Sequence, residues 1–153
     1  PHFIYKMFTI LVFILSIQFV LFYGGEAVKY KKCKNSVPIE SVNISPCNKD
    51  RCEFVSEETY EIQIGFRANK KINPQKAAST AIIKKNKFPF KIKGDACQTI
   101  DPECPLNEGK SYTYTYSLKM PKNLPKTDLN VRWVLKDTKG QTFLCVVFPV
   151  KVI

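Results

Sequence analysis

Histidine is nearly missing from this 153-residue chain; the one copy, His2, stands ahead of a long apolar run. The remainder therefore cannot run a Ser-His-Asp or Cys-His triad, and it cannot build a histidine metal site. Arginine is scarce too: of 24 basic residues only Arg51, Arg67 and Arg132 are arginines. Base-reading proteins rely on arginine forks, and no nucleic-acid motif occurs, so no nucleic-acid partner is expected in spite of a net charge of +11. There is no glycine-rich phosphate loop, no heptad or internal repeat, and no convincing helical stripe. Two carboxylate pairs have the chemistry of glycoside hydrolysis. Glu57/Glu58 sits at a strand entry and Asp101/Glu103 in a short cysteine loop beside Pro102. Both read as solvated turn residues, so the chain reads as non-enzymatic, without cofactor or metal.

What the chain does have begins with Phe8–Tyr23, an apolar run of 16 residues broken only by Thr9, Ser16 and Gln18. That is short for a bilayer span of about 20 residues. The small residues Gly24, Gly25 and Ala27 follow it. The pattern reads as a secretory signal rather than a membrane anchor, with cleavage expected after Ala27. Residues 1–27 are then upstream residues (Pro1–Lys6, before the expected start at Met7) plus signal peptide, and residues 28–153 are one domain. Losing Lys6 and Glu26 together leaves the charge at +11. The expected destination is extracellular, or the lysosomal lumen.

The domain holds six cysteines: Cys33, Cys47, Cys52, Cys97, Cys104 and Cys145. An even count behind a secretory signal argues for disulfides. Cys47 and Cys52 flank the short loop NKDR, and Cys97 and Cys104 flank QTIDPE, where Pro102 forces a turn. Each pair can close within the few ångströms a disulfide spans. Cys33 and Cys145 remain to join the two ends of the domain. Zinc is disfavoured by the spacings and by the lack of histidine.

Extended structure dominates. In SYTYTYSLKM, every second residue from Tyr112 to Met120 is large and apolar or aromatic, the mark of a strand with one buried face. Tyr60–Ala68 and Asn130–Leu135 alternate likewise, and Thr142–Val152 is a long strand rich in β-branched residues. Shorter extended pieces read at Val28–Cys33, Val37–Ser45, Glu53–Val55, Ala78–Lys84 and Phe88–Lys93. Asp137-Thr138-Lys139-Gly140 forms a hairpin with Gly140 at positive φ. Pro149 predicts an edge position or a bulge in the last strand. Seven or eight short strands with proline-marked turns predict an all-β, antiparallel sandwich.

The ordered pieces "YKKC", "VNISPCNKDRC", "GDAC", "CPLNEGKSYTYTYSLKMP", "LNVRWVLKD" and "FLCVVFPVKV" resemble the ML-type lipid-recognition family. The likeness runs from Tyr30 to Val152. It is nearest the branch of the small soluble sterol carrier of Niemann–Pick type C disease and the group two mite allergens. The resemblance implies an immunoglobulin-like sandwich whose two sheets splay to enclose an apolar cavity for one lipid, with the same disulfide pairing. It implies that the strand Ser111–Met120, including Tyr114, contributes to the cavity wall. Carried over by position, it points to Ile44, Phe90, Met120 and Leu124 as lipid-binding residues. Met120 stands where valine is usual, and Leu124 where the mammalian sterol carrier has tyrosine. A fatty acid or another slender chain is therefore open beside a sterol. Phe66, Ile82, Trp133 and Phe148 are added as large apolar strand residues.

In the family, the stretch matching KKNKFPFKIK lies at the cavity mouth. Two phenylalanines among five lysines suit transient contact with an anionic membrane surface, or with a membrane lipid transporter. Asn43-Ile44-Ser45 fits a glycosylation acceptor, with Pro46 expected to lower its use. The leading reading is a secreted, monomeric carrier of one sterol, fatty acid or similar lipid. The alternative is an innate-immune module that presents microbial glycolipid to a receptor.

Overall fold

A computed structural model describes residues 27–153; all of the expected upstream and signal segment except its last residue, Ala27, lies outside them. Ten strands form two sheets, and the only helix among the described residues is a single 3-10 turn, Ala96–Thr99. The strands are β1 (Lys31–Lys32), β2 (Ile39–Ser45), β3 (Cys52–Phe54), β4 (Thr59–Arg67), β5 (Pro74–Ile83), β6 (Asn86–Phe90), β7 (Ile100–Asp101), β8 (Ser111–Lys119), β9 (Asp128–Asp137) and β10 (Thr142–Val152). One sheet has the order β2-β4-β8-β7. The other has β1-β10-β9-β5-β6, with β3 also paired to β10. All pairings are antiparallel except β3 with β10, which is parallel.

The period-two pattern explains the layering. β4 buries Tyr60, Ile62, Ile64 and Phe66, and β8 buries Tyr112 and Tyr114. β9 buries Val131, Trp133 and Leu135, and β10 buries Leu144, Val146, Phe148, Val150 and Val152. The two inward faces meet in one core. Val28 is also buried, and its N–H donates to the Val42 carbonyl at 3.0 Å.

Three disulfides close the frame: Cys33–Cys145, Cys47–Cys52 and Cys97–Cys104. The first ties the chain after β1 to β10 across 112 residues. Gly140 has φ of 76° in the β9–β10 hairpin, and Asp137 Oδ1 accepts from the N–H groups of Lys139 and Gln141.

Pro149 meets its expectation locally. It pairs in register with Asn130, and its other side falls between β1, which reaches Val147, and β3, which begins at Val150, so β10 has an unpaired edge at that point. The missing N–H thus faces a gap in the ladder, where proline costs no hydrogen bond. Other expectations fail: there are ten strands rather than seven or eight, and β5 starts at Pro74 rather than Ala78. β6 starts at Asn86 rather than Phe88 and ends at Phe90. A tight turn at Lys84-Lys85, with Lys84 at φ of 57°, sends the chain back early. No glycine or proline marks that turn, so nothing in the residue types announces it.

Candidate functional site

The inward positions of β5 are Ala77, Ser79, Ala81 and Ile83. Three of the four are small, and they face the large residues of β8 across the sandwich. Small side chains on one sheet leave space that the other does not fill, and that space is a cavity of about 520 Å³. Its walls are Phe54, Ala81, Ile83, Phe88, Pro89, Phe90, Leu118, Met120, Pro121, Leu124, Pro125, Leu129, Val131 and Val150, with Lys91 and Lys119. Apart from those two lysines every lining side chain is apolar. The volume lies within the ~300–1,000 Å³ typical of small-molecule sites.

Each wall has a separate origin. Leu118 is the fourth inward residue of the tyrosine strand, and Met120 continues its alternation just beyond β8. Val131 and Val150 pave the floor from β9 and β10. Leu124 lies on the connection to β9, where its N–H donates to Ser56 Oγ at 3.3 Å. Phe54 is fixed from below by its ring contact with Tyr60 at 4.3 Å. The rim is at the surface: Phe88 is 51% exposed. Lys84, Lys85, Lys87, Lys91 and Lys93 are exposed around it, and none of them is ion-paired among the described residues.

The eight candidate lipid-binding residues separate into groups. Phe90, Met120 and Leu124 come together on the cavity wall. Ile44, Phe66, Trp133 and Phe148 are fully buried in the packed core and do not reach it. Phe66 instead packs against Tyr112 and Phe143, with centroids 6.0 and 6.2 Å away. Ile82 is half-buried and, being one step out of phase with Ala81 and Ile83, does not line the cavity. Asn43 sits mid-strand on β2, paired with Gln63. Sequence reasoning passed over Ala81, Leu129, Val131 and Val150, which read as ordinary core.

Tyr114 borders a second, smaller cavity of about 130 Å³, shared with Ala77, Ile92, Lys93, Gly94, Asp95, Ala96, Gln98, Thr99 and Tyr116. Burial holds the Tyr114 phenol well above the ordinary tyrosine range. The neighbouring Trp133 indole opposes that shift, and Tyr116 adds to it. The Trp133 Nε1–H itself makes no hydrogen bond of ordinary geometry among the described residues. Tyr112 is anchored instead, its hydroxyl accepting from Asn107 N–H at 2.8 Å.

Residues 27–152 match the model of the ML domain family. The chain belongs to the ML domain family. Members of the family are binding and transport proteins, and this ML protein is not an enzyme. It is 32% identical over 130 residues to the NPC intracellular cholesterol transporter 2 of Bos taurus, covering 84% of this chain and 87% of the bovine one. Among solved structures it is similar to a Niemann-Pick type C2 protein from Japanese carpenter ant. The TM-score is 0.71 at 22% identity, over 82% of this chain and 99% of the ant chain. It is also similar to chicken MD-1 complexed with lipid IVa, with a TM-score of 0.54 at 20% identity over 80% of this chain and 86% of that one. Both structural likenesses concern the fold.

Proposed function

We propose that this ML protein is a lipid carrier that holds one sterol, fatty acid or similar small lipid between its sheets and transfers it. The observation that carries this reading is the apolar cavity of about 520 Å³, open beside Phe88. A methylene is close in size to a water molecule, whose share of liquid volume is about 30 Å³, so the cavity holds roughly seventeen such groups. That suits one straight acyl chain, or most of a sterol with its polar end at the rim. The name of the bovine relative, a cholesterol transporter, supports the same class of ligand. Lys91 and Lys119 are the two charged residues among the lining, and Lys91, at the exposed rim, is the expected partner of a carboxylate headgroup. The MD-1 complex with lipid IVa is the basis for the alternative of glycolipid presentation, but a space of this volume is small for a lipid with several chains.

The reading includes export by the signal segment, to the extracellular space or the lysosomal lumen. It also includes action as a monomer and transient docking of the Phe88 rim on an anionic bilayer or a membrane lipid transporter. Native mass spectrometry of protein purified from secreting cells tests the central claim. The expected result is a mass increment of one lipid per chain, lost on organic extraction and restored by added fatty acid or sterol. Protein that carries no increment and takes up neither lipid would overturn the reading.

A further inference from the structure

The two cavities lie end to end along one seam between the sheets. β8 gives Leu118 to the larger and Tyr116 and Tyr114 to the smaller, and β5 gives Ala81 and Ile83 to the larger and Ala77 to the smaller. The end of β6 and the segment after it divide in the same way: Phe88–Lys91 border the larger and Ile92–Ala96 the smaller. The level between them is occupied by Trp133, which pairs with Ser79. Its neighbours on either side, Val131 and Leu135, pair with Ala81 and Ala77. Tyr116 closes that level from the opposite sheet, its ring centroid 5.6 Å from that of Trp133.

The two halves of this partition differ in how firmly they are held. Trp133 is fully buried within β9. Tyr116 is half-buried, and its hydroxyl has a single tether, accepting from the Lys93 N–H at 3.3 Å. That long bond lies at an exposed position, where water competes for both groups. A side chain with one weak tether can leave its rotamer at small cost, whereas Trp133 cannot move without opening the core.

Tyr116 borders the smaller cavity, and Leu118, the next inward residue of β8, borders the larger. We infer that Tyr116 is the partition behind Leu118 that sets how long a chain this carrier accepts, keeping the lipid cavity apart from a reserve pocket a quarter of its volume. The inference rests on the carrier reading above. At the same ~30 Å³ per methylene-sized group, the smaller cavity adds room for roughly four more carbons. Its lining is mixed, with Asp95, Gln98, Thr99 and Tyr114 among apolar neighbours, so it suits the thin end of a chain better than a sterol ring.

The test is a displacement titration with saturated and monounsaturated fatty acids of increasing length, on wild type, Tyr116→Ala and Tyr116→Leu. Each methylene buried contributes up to about fourfold in affinity. Wild-type affinity should climb with length and then level off. In Tyr116→Ala the levelling point should move to chains about four carbons longer, with binding of those longer chains at least about tenfold and up to about 250-fold tighter than in wild type; Tyr116→Leu should give a smaller displacement in the same direction. Tyr116→Leu keeps an apolar branch over Trp133, so it tests the partition even if the alanine variant folds poorly. Identical levelling points in all three proteins would overturn the partition assignment while leaving the carrier intact. Failure of every chain to bind wild type would instead remove the carrier reading, and the partition with it.

Discussion

Two phenylalanines on the second sheet separate wall from core. Phe148 on β10 has no exposed surface and lies beside β9, in register with Val131. Phe90 at the end of β6 is half-buried and has the cavity on one side. Truncating a phenylalanine in a filled core costs about 3–5 kcal/mol, because the apolar transfer is lost and a cavity remains. That is a large part of a total near 5–15 kcal/mol. Phe90→Ala enlarges a space that already exists and removes only about half of a buried ring, so roughly 1 kcal/mol is expected, from the ~1.5–3 kcal/mol for full burial. At about 4 °C per kcal/mol for a domain of this size, Phe148→Ala should melt roughly 12–20 °C lower and Phe90→Ala roughly 4 °C lower. The melts must use delipidated protein, since bound lipid raises the midpoint by mass action. Fatty-acid titration should order the variants the other way. Phe90→Ala should bind about tenfold more weakly, the equivalent of about 1.4 kcal/mol, while folded Phe148→Ala binds within about threefold of wild type. If Phe90→Ala melts as low as Phe148→Ala and binds lipid like wild type, Phe90 is core and the wall has been misplaced.

Two further outcomes follow from the rim and from Tyr114. Sedimentation with anionic vesicles should capture the wild-type protein at low salt, less of it in Phe88→Ser, and little at high salt, because exposed charges are screened. Equal capture by neutral vesicles would argue against headgroup attraction. The buried Tyr114 phenol keeps its proton in the folded state at pH values where the unfolded chain, near the ordinary value of about 10, gives its proton up. Its contribution is therefore complete below pH 10 and lost as pH rises beyond it. Above pH 10, wild type should lose stability faster than Tyr114→Phe by up to about 1.4 kcal/mol per pH unit. Parallel denaturant curves for the two proteins across that range would refute the placement.

Much of the architecture is legible in the chain because burial on a pleated strand leaves a period of two. Tyr60–Ala68 and Tyr112–Met120 show it, and they form adjacent strands β4 and β8, as β9 and β10 do from Asn130–Leu135 and Thr142–Val152. The cysteine spacings led to the observed pairing because two loops were short enough to close locally. The cavity was harder to read. Size alone drew attention to Trp133, Phe66 and Phe148, yet large residues fill space and so mark where a cavity is absent. The informative signal was the opposite one: Ala77, Ser79 and Ala81 at alternate positions of β5, too small to fill the gap beneath β8. Phe90, Met120 and Leu124 came from the resemblance, and no local pattern distinguishes them from other apolar residues.

The sandwich is asymmetric along its length, and the asymmetry has a physical reason. At one end Phe66, Tyr112 and Phe143 meet in a cluster, close to the Cys33–Cys145 link, and the sheets pack solidly. At the other end Ala81 faces Leu118 and Met120 across the open cavity, where neither sheet fills the space between them. A cavity forfeits dispersion contacts on its walls, so an open end is tolerable only where the rest of the core and the disulfides hold the sheets in place. The aromatic pair Tyr116–Trp133 sits where the solid part gives way to the open part. The pair therefore finishes the core at the level between the larger cavity and the smaller one, which Tyr116 borders. That is why Tyr116, half-buried and tethered by one bond, is the position where chain-length preference can change without loss of the fold.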